Sequence, residues 1–179
     1  TITNKDLPVK RNKDKQKYDR VKPNRAPRSK SIEQRSDEIA ARITFGHWEM
    51  DCVEGKKGTK KTLLVLTERK TRNEIIRLMK DKTANSVVET INKIEAEYGT
   101  DRFATIFKTI TVDNGSEFAD YEGIEINVNE KLKRTTLYYC HPYSPHERGS
   151  NENQNKMIRR HYPKGFDFSE VTAADIKKL

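Results

Sequence analysis

Five apolar runs of strand length, broken by one long helical stretch and followed by another, leave this chain few ways to fold. His47 to Val53 alternates, with Trp48, Met50 and Cys52 on one face. Thr62-Leu-Leu-Val-Leu-Thr67 is apolar throughout, as a strand covered on both faces must be. Glu74-Ile-Ile-Arg-Leu-Met79 is a third strand. Gly55 to Gly58 and Arg69 to Asn73 supply turns, so these three runs form an antiparallel meander. Between Thr83 and Tyr98, Val87, Ile91, Ile94 and Tyr98 recur at helical spacing, and Gly99 ends the helix. Thr109 to Val112 and Thr136 to Cys140 are the fourth and fifth strands, with Ser116 to Tyr121 a short helix or turn between them. The loop His141 to Gly149 leads to a helix from about Asn151 to Tyr162, with Ser150 or Asn151 as its N-cap. This order defines an α/β fold, a mixed five-stranded sheet flanked by helices.

Three acids stand out against that frame. Asp51 lies within the first strand and Asp113 at the end of the fourth, followed by the turn dipeptide Asn114-Gly115. Glu152 lies in the first turn of the late helix, where the helix dipole favours an anion. An acid in a buried strand is costly unless compensated. Three gathered acids repel one another without a cation, and together they make a hard oxygen site suited to two Mg²⁺ or Mn²⁺ ions. Such a pair activates a water or 3′-hydroxyl and stabilises the leaving oxygen of a phosphodiester, so the expected catalytic and metal-binding residues are Asp51, Asp113 and Glu152.

The helix after Glu152 adds a second argument. Asn155, Lys156 and Arg159 follow it at three, four and seven residues, on one face, and Arg160 extends the polar surface. A stripe of amide, ammonium and guanidinium beside a metal ligand suits a phosphate backbone, so these four are the expected DNA contacts. The plainer alternative is a solvated helix with a Glu152–Lys156 surface pair.

Charge points the same way. Residues 1 to 35 hold twelve Lys/Arg against four Asp/Glu, and the remainder 24 against 23. Residues 1–30, with Pro8, Pro23 and Pro27 and few large apolar side chains, read as a basic flexible linker suited to a polyanion such as DNA. A linker that opens a chain suggests a missing upstream part. Residues 31–43 read as a short helical lead-in, and the core domain as 31–179. The chain stops in what reads as a further helix, so that domain is expected to be C-terminally truncated. No run spans a bilayer and no signal-peptide core is present. Two cysteines make no disulfide framework, so the expected location is the bacterial cytoplasm, on the nucleoid.

Other candidates have plainer roles. His47, His141, His146 and His161 with Cys52 and Cys140 match no regular zinc spacing. The cysteines read as small buried residues and Trp48 as core. Glu117 reads as a cap or ion-pair partner, and Glu49 and Glu54 are expected to face away from the metals.

The runs Phe45-Gly-His-Trp-Glu-Met-Asp51, Val112-Asp-Asn-Gly-Ser-Glu-Phe118, His141-Pro-Tyr-Ser-Pro-His-Glu-Arg-Gly-Ser-Asn-Glu-Asn153 and Ile158-Arg-Arg-His-Tyr-Pro-Lys-Gly165 resemble the catalytic domain of bacterial insertion-sequence-thirty transposases. These are a branch of the integrase-core group that includes retroviral integrases. The resemblance runs from about Ser31 to the C-terminus. His146 departs from a common aromatic, and Lys156 from a common small residue or Arg. The resemblance implies a ribonuclease H-like fold and an Asp-Asp-Glu triad at Asp51, Asp113 and Glu152. It also implies cleavage at the transposon end followed by attack of the freed 3′-hydroxyl on target DNA. Such proteins carry a helix-turn-helix upstream of this region. Joining two ends implies a homodimer or higher oligomer. Two alternatives stay open: a metal-dependent nuclease of the same fold that never joins, and an inactive remnant that only binds DNA.

Overall fold

The structure, a computed structural model, describes residues 29–142, 144, 147 and 149–178, with the side chains of Ser150 and Glu152 outside that set. Apart from its last two residues, the segment read as a linker lies outside the described residues. The strands are β1 (Lys30–Ser31), β2 (His47–Glu54), β3 (Thr62–Glu68), β4 (Glu74–Met79), β5 (Thr109–Val112) and β6 (Thr136–Tyr139). The helices are α1 (Asp37–Ala41), α2 (Ala84–Tyr98), α3 (Thr100–Ile106), α4 (Tyr121–Glu125), α5 (Gly149–His161) and α6 (Ala173–Ile176).

All five expected strands are present, and a sixth of two residues joins them at one edge. The sheet order is β1-β6-β5-β2-β3-β4. β2, β3 and β4 are antiparallel neighbours, whereas β5 runs parallel to β2, and β6 parallel to β5. This is the ribonuclease H-like arrangement, with β2 at the centre. The lead-in is not one helix: Ile32–Gln34 forms a 3₁₀ turn capped by the Ser31 hydroxyl, and α1 is a separate short helix after Ser36.

The apolar character of β3 has a direct cause, because both of its faces are covered. Leu64 and Leu66 meet Trp48, Met50, Val87, Ile91, Ile94, Ile110 and Phe107 in the core beneath α2 and α3. Leu63 and Val65 meet Val53, Ile158, Phe168, Val171 and Ile176 beneath α5 and α6. Each such side chain, fully buried, contributes roughly 1.5–3 kcal/mol. α2 begins where Thr83 accepts a hydrogen bond from Ser86 N and ends at Gly99, whose φ of 84° suits glycine. α3 then starts at once. It was not expected, since Phe103 is its one buried residue and no apolar stripe marks it. No helix among the described residues is long and apolar enough to cross a membrane.

Candidate active site

Alternation along β2 sets the site. Trp48, Met50 and Cys52 enter the core under α2, so Glu49, Asp51 and Val53 face α5. Trp48 is core as expected, stacked on Phe107 at 4.8 Å with Nε1 donating to Ile106 O. Asp51 is half-buried, and both carboxylate oxygens are held. Cys52 N donates to Oδ1 at 2.9 Å, and Asn155 Nδ2 from α5 donates to Oδ2 at 2.8 Å.

Asp113 reaches the same end of the sheet through strand register. β2 and β5 pair His47 with Thr109, Trp48 with Ile110 and Glu49 with Thr111. Asp113 follows the last residue of β5, two residues beyond the last pair of that ladder, and both Asp51 and Asp113 act on the Cys52 thiol. Asp113 Oδ1 accepts from Gly115 N at 2.9 Å, and Asn114 Nδ2 donates to Cys140 O, which ties the turn to the end of β6. A Cβ on Gly115 would lie 2.5 Å from Glu117 Oε2 and 2.9 Å from Asp113 Oδ1, so a side chain here would push both carboxylates aside.

Glu152 lies on α5, which packs across β2 and β3. Its position shares a helical stripe with 155 and 159, and Asn155 on that stripe reaches Asp51. The helix begins at Gly149, so Ser150 and Asn151 lie inside its first turn and neither is the cap. The reason is a distant partner: Asn151 N donates to Glu49 Oε2 at 2.9 Å, and Thr67 Oγ1 donates to Asn151 Oδ1 at 2.9 Å.

Glu49 was expected to face away from the metals, and the structure puts it on the Asp51 side of β2 instead. It shares the Asp51 face, fully buried, with Arg69 Nε 3.1 Å from its Oε1. The N–H is not aligned for a hydrogen bond, so this contact is an ion pair held by charge. Arg69 Nη1 donates to Ile39 O. Burial, with Arg35 nearby, pulls the Arg69 guanidinium down to about 10 despite Glu49. Parity from Asp51 was the signal that could have found this carboxylate.

The fields around Asp51 are mixed. Burial pushes the Cys52 thiol well up, and the nearby Glu117, Asp51 and Asp113 carboxylates push it further, so it stays protonated. Glu117 is an ion-pair partner, as expected: Lys82 Nζ lies 3.1 Å from it and also contacts Glu54. Burial lowers the Arg159 guanidinium, and Glu54 and Asp51 oppose that shift. Lys156 and Arg160 are exposed on α5. His47 is buried between the Thr44 and Thr109 hydroxyls, His141 pairs with Glu147 and Glu33, His161 is exposed, and His146 lies outside the described residues.

Among the described residues no group of three His, Cys, Asp or Glu side chains converges as a metal site. The donors that are described suit a hard cation. They are carboxylate oxygens on adjacent strands and Asn155 Oδ1, a buried oxygen with no hydrogen-bond partner.

A central strand and its parallel neighbour, with an acid near the same sheet end on each, beneath a helix, define a ribonuclease H-like core. Residues 41–145 match the integrase core domain family, and the chain belongs to it. It is 37% identical over 146 residues to the transposase for insertion sequence element IS4351 of Bacteroides fragilis, covering 82% of this chain and 41% of that protein. It is 34% identical over 149 residues to transposase InsI for insertion sequence element IS30C of Escherichia coli, covering 81% and 35%. The chain thus spans about two fifths of the length of these curated relatives. Among solved structures, the catalytic core domain of BIV integrase aligns with a TM-score of 0.48 at 21% identity, over 65% of this chain and 68% of that one.

Proposed function

We propose that this chain is the catalytic core of a DNA transposase, which cuts a DNA strand and joins a free 3′-hydroxyl to a second DNA by in-line phosphoryl transfer. The observation that supports this reading is the parallel pairing of β2 and β5, which brings the strands carrying Asp51 and leading to Asp113 side by side beneath the Glu152 helix. Asp51, Asp113 and Glu152 would hold two divalent cations, Mg²⁺ or Mn²⁺, which when bound supply Lewis acidity at phosphorus. Asn155 and the Cys52 N–H orient the Asp51 carboxylate in advance, so it needs little rearrangement. Arg159, with Lys156 and Arg160 further out, supplies positive potential for the DNA backbone. Two copies of the core would act together, one on each element end.

The test is a reaction containing supercoiled plasmid, a labelled duplex with a free 3′-hydroxyl, and Mn²⁺. Nicking and covalent transfer of label to the plasmid are expected. Asp51→Asn, Asp113→Asn and Glu152→Gln should each lower both at least 100-fold while the proteins stay folded by circular dichroism. Any one of these variants retaining strand transfer would overturn the triad, and nicking without joining would reduce the reading to a nuclease.

A further inference from the structure

The overall charge outside the N-terminal segment is nearly balanced, yet the fold collects cations in one place. The β2–β3 turn reads Gly55-Lys-Lys-Gly-Thr-Lys-Lys61, and it lines a recess of about 430 Å³ with Lys82, Lys164 and Arg159. One acid, Glu54, lies in that lining, and Lys82 already engages it. Among the described residues, the ammonium groups of Lys56, Lys57, Lys60 and Lys164 make no hydrogen bond or ion pair. At the inner wall, Arg159 Nη1 is buried and has no acceptor.

The turn is also built to hold still. Lys56 N donates to Phe166 O at 2.7 Å, and Thr59 Oγ1 and N both bond Lys56 O. A Cβ on Gly55 would lie 2.6 Å from both Phe166 O and the Phe168 ring, so only glycine lets the turn approach. Beneath it Tyr162, Phe166 and Phe168 pack ring on ring. Lys61 Nζ is spent on Ser169 O and Val171 O, which pins the far strand of the hairpin. Cations that line one recess on a braced loop favour an anion between them. Cys52, the neighbour of Asp51 in β2, lines the recess together with Arg159, so the recess adjoins the acids.

We propose that this recess binds backbone phosphates of the DNA strand running past Asp51, with Lys56, Lys57, Lys60 and Lys164 as its outer contacts and Arg159 as its inner one. This rests on the transposase reading and adds a side of approach: the strand leaves the acids over the β2–β3 turn.

The test measures binding of a fluorescent 30-base-pair duplex by anisotropy in EDTA, across 50–300 mM KCl, so that no strand is cut. Compared are the wild-type chain, Lys57→Gln/Lys60→Gln/Lys164→Gln, and a charge-matched control, Lys93→Gln/Arg102→Gln/Lys131→Gln, on other surfaces. Each lost phosphate contact flattens the slope of log K against log salt by about 0.9. The recess variant should flatten it by about two to three and weaken binding at 100 mM at least tenfold, with an unchanged melting temperature. The control should stay within half a unit of wild type. Equal slopes for the recess variant and the control, in a protein that still binds and nicks DNA, overturn the recess alone. A wild-type chain that binds no duplex overturns the recess and the transposase reading together.

Discussion

Glu49 and Arg69 offer the sharpest quantitative test of how the site is supported. Both side chains are almost wholly buried, 0% and 3% exposed, and their charged atoms lie 3.1 Å apart. Glu49→Gln keeps the shape and an acceptor for Asn151 N–H but strands the Arg69 charge. Removing one partner of a buried ion pair costs roughly 3–5 kcal/mol, because the survivor stays charged and dehydrated. Arg69 keeps its bond to Ile39 O, so a loss of about 3 kcal/mol is expected, at the low end of that range. Glu49→Gln/Arg69→Met removes the stranded charge, and its cost should fall short of the summed single losses by about 1–3 kcal/mol. Urea unfolding followed by fluorescence reads this directly, since the single tryptophan, Trp48, adjoins Glu49 in the core. With a urea slope of roughly 2–3 kcal/mol/M, the midpoint of Glu49→Gln should drop by about 1–1.5 M. A single variant within 0.5 kcal/mol of wild type, or a double variant that costs the full sum, would refute the reasoning.

Two further outcomes follow from the same geometry. Gly115→Ala pushes a methyl into the Glu117 and Asp113 carboxylates, whose flexible ends can give way, so it should leave the urea midpoint nearly unchanged yet cut Mn²⁺-dependent nicking at least tenfold by displacing Asp113. His47 titrates below its ordinary value because burial, Lys108 and Arg69 disfavour its charge. The unfolded chain then binds the proton more readily, so the His47 contribution is complete above about pH 6.5 and fades as pH falls below it. Urea midpoints at pH 7.5 and 5.5 should differ more for wild type than for His47→Gln, and equal differences would count against it.

Much of the frame was legible because burial writes period two and period 3.6 into the chain. β2 to β6 and α2 fall where alternation or an apolar stripe marks them, and Asp113 stands out because it follows an apolar strand. What escaped depends on partners distant in the chain. The start of α5 looked like a Ser150 or Asn151 cap, but Asn151 N–H is satisfied by Glu49, 102 residues earlier. α3 carries one buried side chain and so no stripe. The cations of the β2–β3 turn vanish in a nearly neutral total, and only the fold separates them from the acids. Glu49 was misjudged although it lies two residues from Asp51, because its partners Arg69 and Asn151 are not apparent from local sequence.

The side-by-side placing of the strands that lead to Asp51 and Asp113 is written in a main-chain ladder rather than in side-chain packing. Replacing apolar residues around the two strands therefore leaves them side by side, whereas length is unforgiving. One residue inserted into β2 ahead of Asp51 would swing that acid into the layer under α2 and bring an apolar neighbour to the sheet end. In a lineage of such cores, substitutions can accumulate along these strands, while insertions and deletions must be confined to the turns.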